Sequence, residues 1–184
     1  MELQELIHEA KKGSRAAEGA LFKNLSKRYL CFCMRYVENA DDARERMSDG
    51  FFKFFRSLHR FNYESDEEVH SYISTIMTNV CLSFLRKKKV LNIVSEPLET
   101  DSVLDEDALD KISTEEIHTM IRKLPEGART IFNLSVLEGY MHEEIAGIMQ
   151  ITPGGSRAQL TRARQLLQST LSFLKKDNEN KETR

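Results

Sequence analysis

Three prolines and eight glycines in 184 residues are too few for the many tight turns of a sandwich or barrel, so an all-helical chain is expected. No apolar run approaches the roughly 18 residues that a membrane span needs. The start, MELQELIHEAKKG, carries acidic residues where a secretory signal would be basic and then apolar, so a cytoplasmic protein without membrane insertion is expected. Cysteine is scarce and odd in number, and Cys31, Cys33 and Cys81 offer no disulfide framework. Cys31 and Cys33 stand two apart on a predicted helix, about 200° apart around its axis, which disfavours one shared metal ion. Buried thiols are the expectation. The phosphate-binding GxxxxGK(S/T), the HExxH pair and the nucleophile elbow are all missing; His142-Glu143-Glu144 lacks the second histidine. No catalysis, metal or cofactor is therefore expected.

What is present is 40% hydrophobic and 30% charged residues, the balance of one or two small soluble domains rather than of a collagen-like or wholly disordered chain. The net charge of −2 hides a partition: residues 1–90 carry +3, residues 91–116 carry −8, and residues 117–176 carry +4. From Ile145 to Lys176 there is no acidic residue, while Arg157, Arg162, Arg164, Lys175 and Lys176 accumulate. Such a run suits a surface facing phosphates, although a solvated helix face explains a charge run equally well when it stands alone. Residues 91–111 are acidic and of mixed apolar spacing, and read as a flexible linker between a helical domain of residues 1–90 and a second of 112–176; residues 177–184 read as a polar tail.

Four helices are predicted in the first domain: Leu3 to Glu9, Ala16 to Tyr36, Asp42 to Leu58, and Val69 to Lys89. The second carries Leu21, Phe22, Leu25, Tyr29, Phe32 and Tyr36 as one apolar stripe. In the third, Phe51, Phe52, Phe54 and Phe55 cover more than one stripe, so either that helix is buried on two sides or one side meets a partner. A polar loop from Asn62 to Glu68 precedes the fourth, whose terminal cations suit the helix dipole.

In the second domain, Ile117, Met120, Ile121 and Leu124 lead to Pro125, and Ile131, Phe132, Leu134 and Leu137 carry a second helix to Gly139. A short helix from His142, with Ile145, Ile148 and Met149 inward, is followed by the turn Gln150-Ile151-Thr152 and a helix opening at Pro153. This is helix-turn-helix spacing, with Thr152 as the cap and Ser156, Leu160, Ala163 and Leu167 as the inward row. Arg157, Ala158, Thr161 and Arg162 are left outward, able to reach base edges and phosphates in a major groove.

LPEGARTIFNLSVLEGYMHEEIAGIMQITPGGSRAQLTRARQLL resembles the fourth conserved region of the extracytoplasmic-function sigma factors, with its LP run, its EEIA helix and its arginine-bearing recognition helix. NADDARERMSDGFFKFFRSLHRF resembles the second region, and SYISTIMTNVCLSFLRKKK the helix that follows it. The resemblance spans roughly residues 10–172, with both regions in the family's order. It implies a dissociable subunit of bacterial core RNA polymerase that recognises promoter DNA, is monomeric when free and works with an anti-sigma factor. By the match, Arg44, Glu45, Met47, Ser48 and Asp49 would meet the polymerase. Phe61, Tyr63, Tyr72, Asn79, Arg86, Lys87 and Lys88 would hold the melted minus-ten element, because an unstacked base needs an aromatic or amide-lined pocket and its backbone needs cations. Gly155, Arg157, Ala158, Gln159, Thr161, Arg162 and Arg164 would read the minus-thirty-five duplex.

The sequence departs from the family pattern at several points. Arg46 replaces an aliphatic residue, Ser48 a glutamine, Tyr72 the frequent tryptophan and Ser83 a frequent Asp or Asn. Met141 replaces a capping Ser or Thr, a loss worth about 1 kcal/mol, Gln150 replaces the turn glycine, and Gly155 replaces a threonine. Two other readings are a sigma mimic that binds only an anti-sigma factor, and a helix-turn-helix repressor, which would ordinarily dimerise to match two half-sites.

Overall fold

The computed structural model describes residues 2–87 and 114–182, with side chains for residues 2–87 and 116–172. The described residues contain helices and no strand, and the chain divides into two compact units, Met1–Lys88 and Lys89–Arg184. Residues 91–111, expected to be a flexible linker, and Lys88, expected at the minus-ten site, lie outside the described residues.

The first unit is built of α1 (Leu3–Lys11), α2 (Arg15–Tyr36), α3 (Ala40–Ser57) and α4 (Asp66–Lys87), with one 3-10 turn at Leu58–Arg60. Capping chemistry decides where they begin. Ser14 Oγ accepts from the Ala17 amide at 3.3 Å, and Asn39 Oδ1 accepts from the amides of Asp41 and Asp42 at 2.8 and 3.1 Å. The last helix starts three residues before its expected position at Val69. Ser65 Oγ accepts from the Glu68 amide at 3.2 Å, and the resulting first turn places Asp66, Glu67 and Glu68 at the positive end of the helix dipole. Asn62 to Ser65 are loop as expected, and only Asp66 to Glu68 of that polar run form the N-terminal helical turn.

Helices α2, α3 and α4 pack on one another around Tyr29, Tyr36, Phe51, Phe54, Ile73 and Met77, all fully buried. Tyr29 donates to the His70 carbonyl at 3.1 Å, and its ring meets Phe51 edge-on with centroids 5.8 Å apart. Gly50 leaves room where α3 crosses α4: a Cβ there would overlap the Met77 sulfur and displace that buried side chain. The aromatic run on α3 is resolved by this packing, with Phe51 and Phe54 buried, Phe55 half-buried and Phe52 63% exposed. Phe22, assigned to the stripe of α2, lies at its edge and is 36% exposed. Cys33 and Cys81 are buried, whereas Cys31 is exposed, contrary to the expectation for all three. A hydrogen bond with Cys33, together with burial, pushes the Cys81 thiol well above its ordinary value.

The second unit contains α5 (Thr114–Arg122), α6 (Glu126–Phe132), a π-helical turn at Asn133–Leu137, α7 (His142–Met149) and α8 (Pro153–Glu182). Met120, Ile121, Leu124, Ile131, Leu134, Ile145 and Leu160 are buried in its core. The Glu138 amide donates to the Asn133 carbonyl at 3.0 Å, the wide closure that ends α6, and Gly139 takes φ +77 to redirect the chain. Leu137, which the spacing gives to the apolar set of this helix, stands at the end of the widened turn and is 40% exposed. Among the described residues no helix is long and apolar enough to cross a membrane.

Candidate functional site

The α7–turn–α8 segment owes its geometry to three backbone devices. Gln150 adopts the left-handed conformation (φ 56, ψ 46), and the Ile151 amide closes back on the Ala146 carbonyl at 3.1 Å, which terminates α7 sharply. Thr152 Oγ1 accepts from the Gly155 amide at 3.0 Å and the Thr152 carbonyl accepts from the Ser156 amide at 3.0 Å, so α8 opens as a capped helix with Pro153 in its first position. At the start of α7, Met141 has no oxygen to cap with, yet the Glu144 carboxylate accepts from the Met141 amide at 2.8 Å and supplies the reciprocal half of the cap.

Ser156, Leu160, Ala163, Leu167 and Leu171 form the buried row of α8. Arg157 and Arg164 are exposed, and Gly155, Ala158, Thr161 and Arg162 are half-buried on the sides and front of the helix. With 3.6 residues per turn, Ala158 and Thr161 lie at the centre of the outward strip, Arg157 and Arg164 on one flank and Arg162 on the other. Gln159 does not belong with them. It is 6% exposed, one position before Leu160 and three after Ser156, which turns it toward the packed side. Gly154 and Gln165 occupy the same outward strip as Ala158 and Thr161; their spacing of four and seven residues from those positions was the available signal. At Gly155 a Cβ would stand 3.2 Å from Thr152 Oγ1, so glycine leaves the cap its room.

In the first unit, Arg44, Glu45, Ser48 and Asp49 are exposed on α3, but Met47 is 7% exposed and belongs to the core. Phe52, which the match did not single out, stands on the same outward face, four residues after Ser48 and seven after Glu45, with the Arg56 guanidinium 5.6 Å from its ring. Arg46 is accommodated where an aliphatic residue is usual: its guanidinium lies 4.6 Å from the Phe84 ring and 3.4 Å from Asp49, with only 14% of the side chain exposed.

Of the residues assigned to single-strand capture, the structure brings together Phe61 and Tyr72, whose rings stack at 4.9 Å and 26°. Tyr72, Asn79 and Arg86 follow at seven-residue steps along α4, about 10.5 Å apart on one face. Asn79, Arg86 and Lys87 are exposed, but Lys87, one residue beyond Arg86, points away from that strip. Tyr63 also stands apart. Its hydroxyl donates to Asp66 at 2.6 Å, and it lines an open groove of about 650 Å³ with Gln4, Ile7, His8, Lys11 and Asn62. The Asp66 carboxylate, with burial a lesser cause, pushes the Tyr63 phenol up to about 12.

Comparison with known proteins accounts for both units. Residues 21–90 match Sigma-70 region 2, and residues 114–167 match Sigma-70, region 4. The RNA polymerase sigma-H factor of Pseudomonas aeruginosa is 26% identical over 186 residues, covering 93% of this chain and 94% of its own length. The ECF RNA polymerase sigma-E factors of Haemophilus influenzae and Escherichia coli are 26% and 25% identical over 184 residues, covering 93% of this chain and 96% and 95% of their own lengths. The chain belongs to the sigma-70 family, in its extracytoplasmic-function group. It is a sigma factor that works with RNA polymerase and directs promoter recognition, and the mimic and repressor readings are not favoured.

Proposed function

We propose that the two units divide promoter recognition between them, residues 1–90 engaging the polymerase and the melted minus-ten element and residues 112–176 the minus-thirty-five duplex. The observation that carries this reading is the pairing of an apolar anchor on α3 with a cationic outward face on α8. Phe52 is 63% exposed amid Glu45, Ser48, Asp49 and Arg56, which is the composition of a protein-binding patch: an aromatic centre ringed by charges. Arg157, Arg162 and Arg164 flank the small residues Ala158 and Thr161, a surface that admits a groove edge closely and supplies base-edge and phosphate contacts from either side. The minus-ten contribution is assigned to the Phe61–Tyr72 stack, Asn79 and Arg86, since an aromatic platform with an amide and a cation along one strip suits an unstacked strand. Tyr63 serves a base that reaches its groove, and Met47 and Gln159 act through packing. The free protein is monomeric and cytoplasmic, and an anti-sigma factor holds it by covering Phe52 and the α8 face.

One experiment tests the division. Phe52→Asp and Arg162→Ala variants are mixed with bacterial core polymerase, followed by size-exclusion co-elution and run-off transcription on sheared genomic DNA of the source organism. Phe52→Asp is expected to abolish co-elution while binding of the full chain to duplex persists. Arg162→Ala is expected to co-elute normally and to lose specific run-off products, with roughly 1–3 kcal/mol of duplex binding removed. Normal co-elution of Phe52→Asp, or unchanged transcription by Arg162→Ala, refutes the assignment of that face.

A further inference from the structure

No acidic residue occurs between Ile145 and Lys176, so any negative charge beside the start of the recognition helix has to be brought there by another element. Helix α7 brings one. The Glu143 carboxylate lies 3.6 Å from the Arg157 guanidinium, the two side chains being 70% and 58% exposed. The approach is set by the helix pair. One residue earlier on each helix, His142 Nδ1 and Ser156 Oγ are 2.8 Å apart, and Ser156 is fully buried. Two successive residues of α7 are therefore matched to two successive residues of α8, the inner pair hydrogen-bonded and the outer pair ionic. The neighbouring Glu144 is committed to the Met141 amide, which leaves Glu143 to face Arg157.

We propose that Glu143 is a specificity-determining residue for duplex recognition: it neutralises Arg157 on the free protein and releases it only to a site that outcompetes the carboxylate. This rests on the reading that α8 faces duplex DNA. Sequence-independent binding arises from phosphates, each neutralised phosphate adding to the salt dependence of the affinity. A cation already paired contributes less to that background, and the carboxylate itself repels a misplaced backbone. At the correct sequence, bidentate hydrogen bonding to a base edge offers Arg157 more than an exposed ion pair does, since exposed pairs are individually weak. Glu143 thus lowers random binding more than cognate binding, which widens the ratio between them.

The test uses the full chain and a fluorescein-labelled random-sequence duplex of about 30 base pairs, with anisotropy followed between about 50 and about 200 mM salt. Glu143→Gln is expected to tighten binding about two- to fivefold at the lowest salt, the range an exposed ion pair allows. It is also expected to steepen the plot of log affinity against log salt by roughly 0.9, one additional phosphate contact. In the Arg157→Gln background the same substitution is expected to leave the slope unchanged. Unchanged affinity and slope in Glu143→Gln overturn the proposal, as does an equal gain with and without Arg157, which would make Glu143 a general repulsive charge. If Arg157→Gln added to Glu143→Gln leaves duplex binding as tight as in Glu143→Gln alone, it is the DNA-facing reading of α8 that fails.

Discussion

The turn of the helix-turn-helix carries a residue with a side chain where the backbone favours none, and replacing Gln150 by glycine is expected to stabilise the second unit. Gln150 is the one non-glycine residue with positive φ among the described residues, at φ 56 and ψ 46. In this region the Cβ crowds the following carbonyl, at a cost of about 1–2 kcal/mol, which glycine escapes. Glycine in turn releases more chain entropy on unfolding, returning about 0.4–1 kcal/mol. The side chain is exposed and its removal sacrifices no core packing. The net gain is about 0.5–1 kcal/mol, which for a unit of this size corresponds to about 2–8 °C in its melting temperature. Because the two units need not melt together, the readout is amide hydrogen exchange at residues 146–151 alongside the thermal melt followed by helical circular dichroism. Gln150→Ala keeps the crowding and is expected to match the parent, and Gln150→Val, β-branched, to fall below it. Glycine ranking level with or below alanine would refute the argument that left-handed strain is stored in this turn.

Three further outcomes follow from the first unit. Gly50→Ala is expected to destabilise by about 1–2 kcal/mol in urea unfolding, because the added methyl meets the fully buried Met77 side chain; in a Met77→Ala background the loss should vanish. The Tyr63 phenol, held up to about 12 by Asp66, is expected to ionise well above the ordinary value near 10 in an absorbance titration, and Asp66→Asn should return it toward that value. Since the folded state keeps that proton longer than the unfolded chain, the stabilisation is complete below about pH 10 and fades as pH rises toward 12; a rise in stability over that window would contradict the hydrogen bond. Of the three thiols, Cys31 alone is expected to react promptly with a disulfide reagent in native buffer, Cys33 and Cys81 reacting only after denaturation; three fast equivalents would mean that the α2–α4 core is open.

Helix content, the two-part division and the helix-turn-helix were legible because each rests on local chemistry. The scarcity of turn residues, the stripes on α2 and α5, and Thr152-Pro153 as a helix opening all act within a few residues of themselves. The start of α4 is equally local yet hidden, since Ser65 followed by three acids is polar in composition and helical only through its cap. What the order of residues could not determine was which side of a helix is covered, because that depends on which elements are laid against it. Phe51, Phe52, Phe54 and Phe55 are chemically alike, and only the placement of α2 and α4 leaves Phe52 outward; the same packing withdraws Met47 from the candidate surface, as the α8 core withdraws Gln159. The meeting of Glu143 with Arg157 belongs to this second class. Fourteen residues apart and in different helices, they become neighbours because the sharp turn at Gln150 folds α7 against α8, and a part-buried hydrogen bond beside them holds the two helices in register.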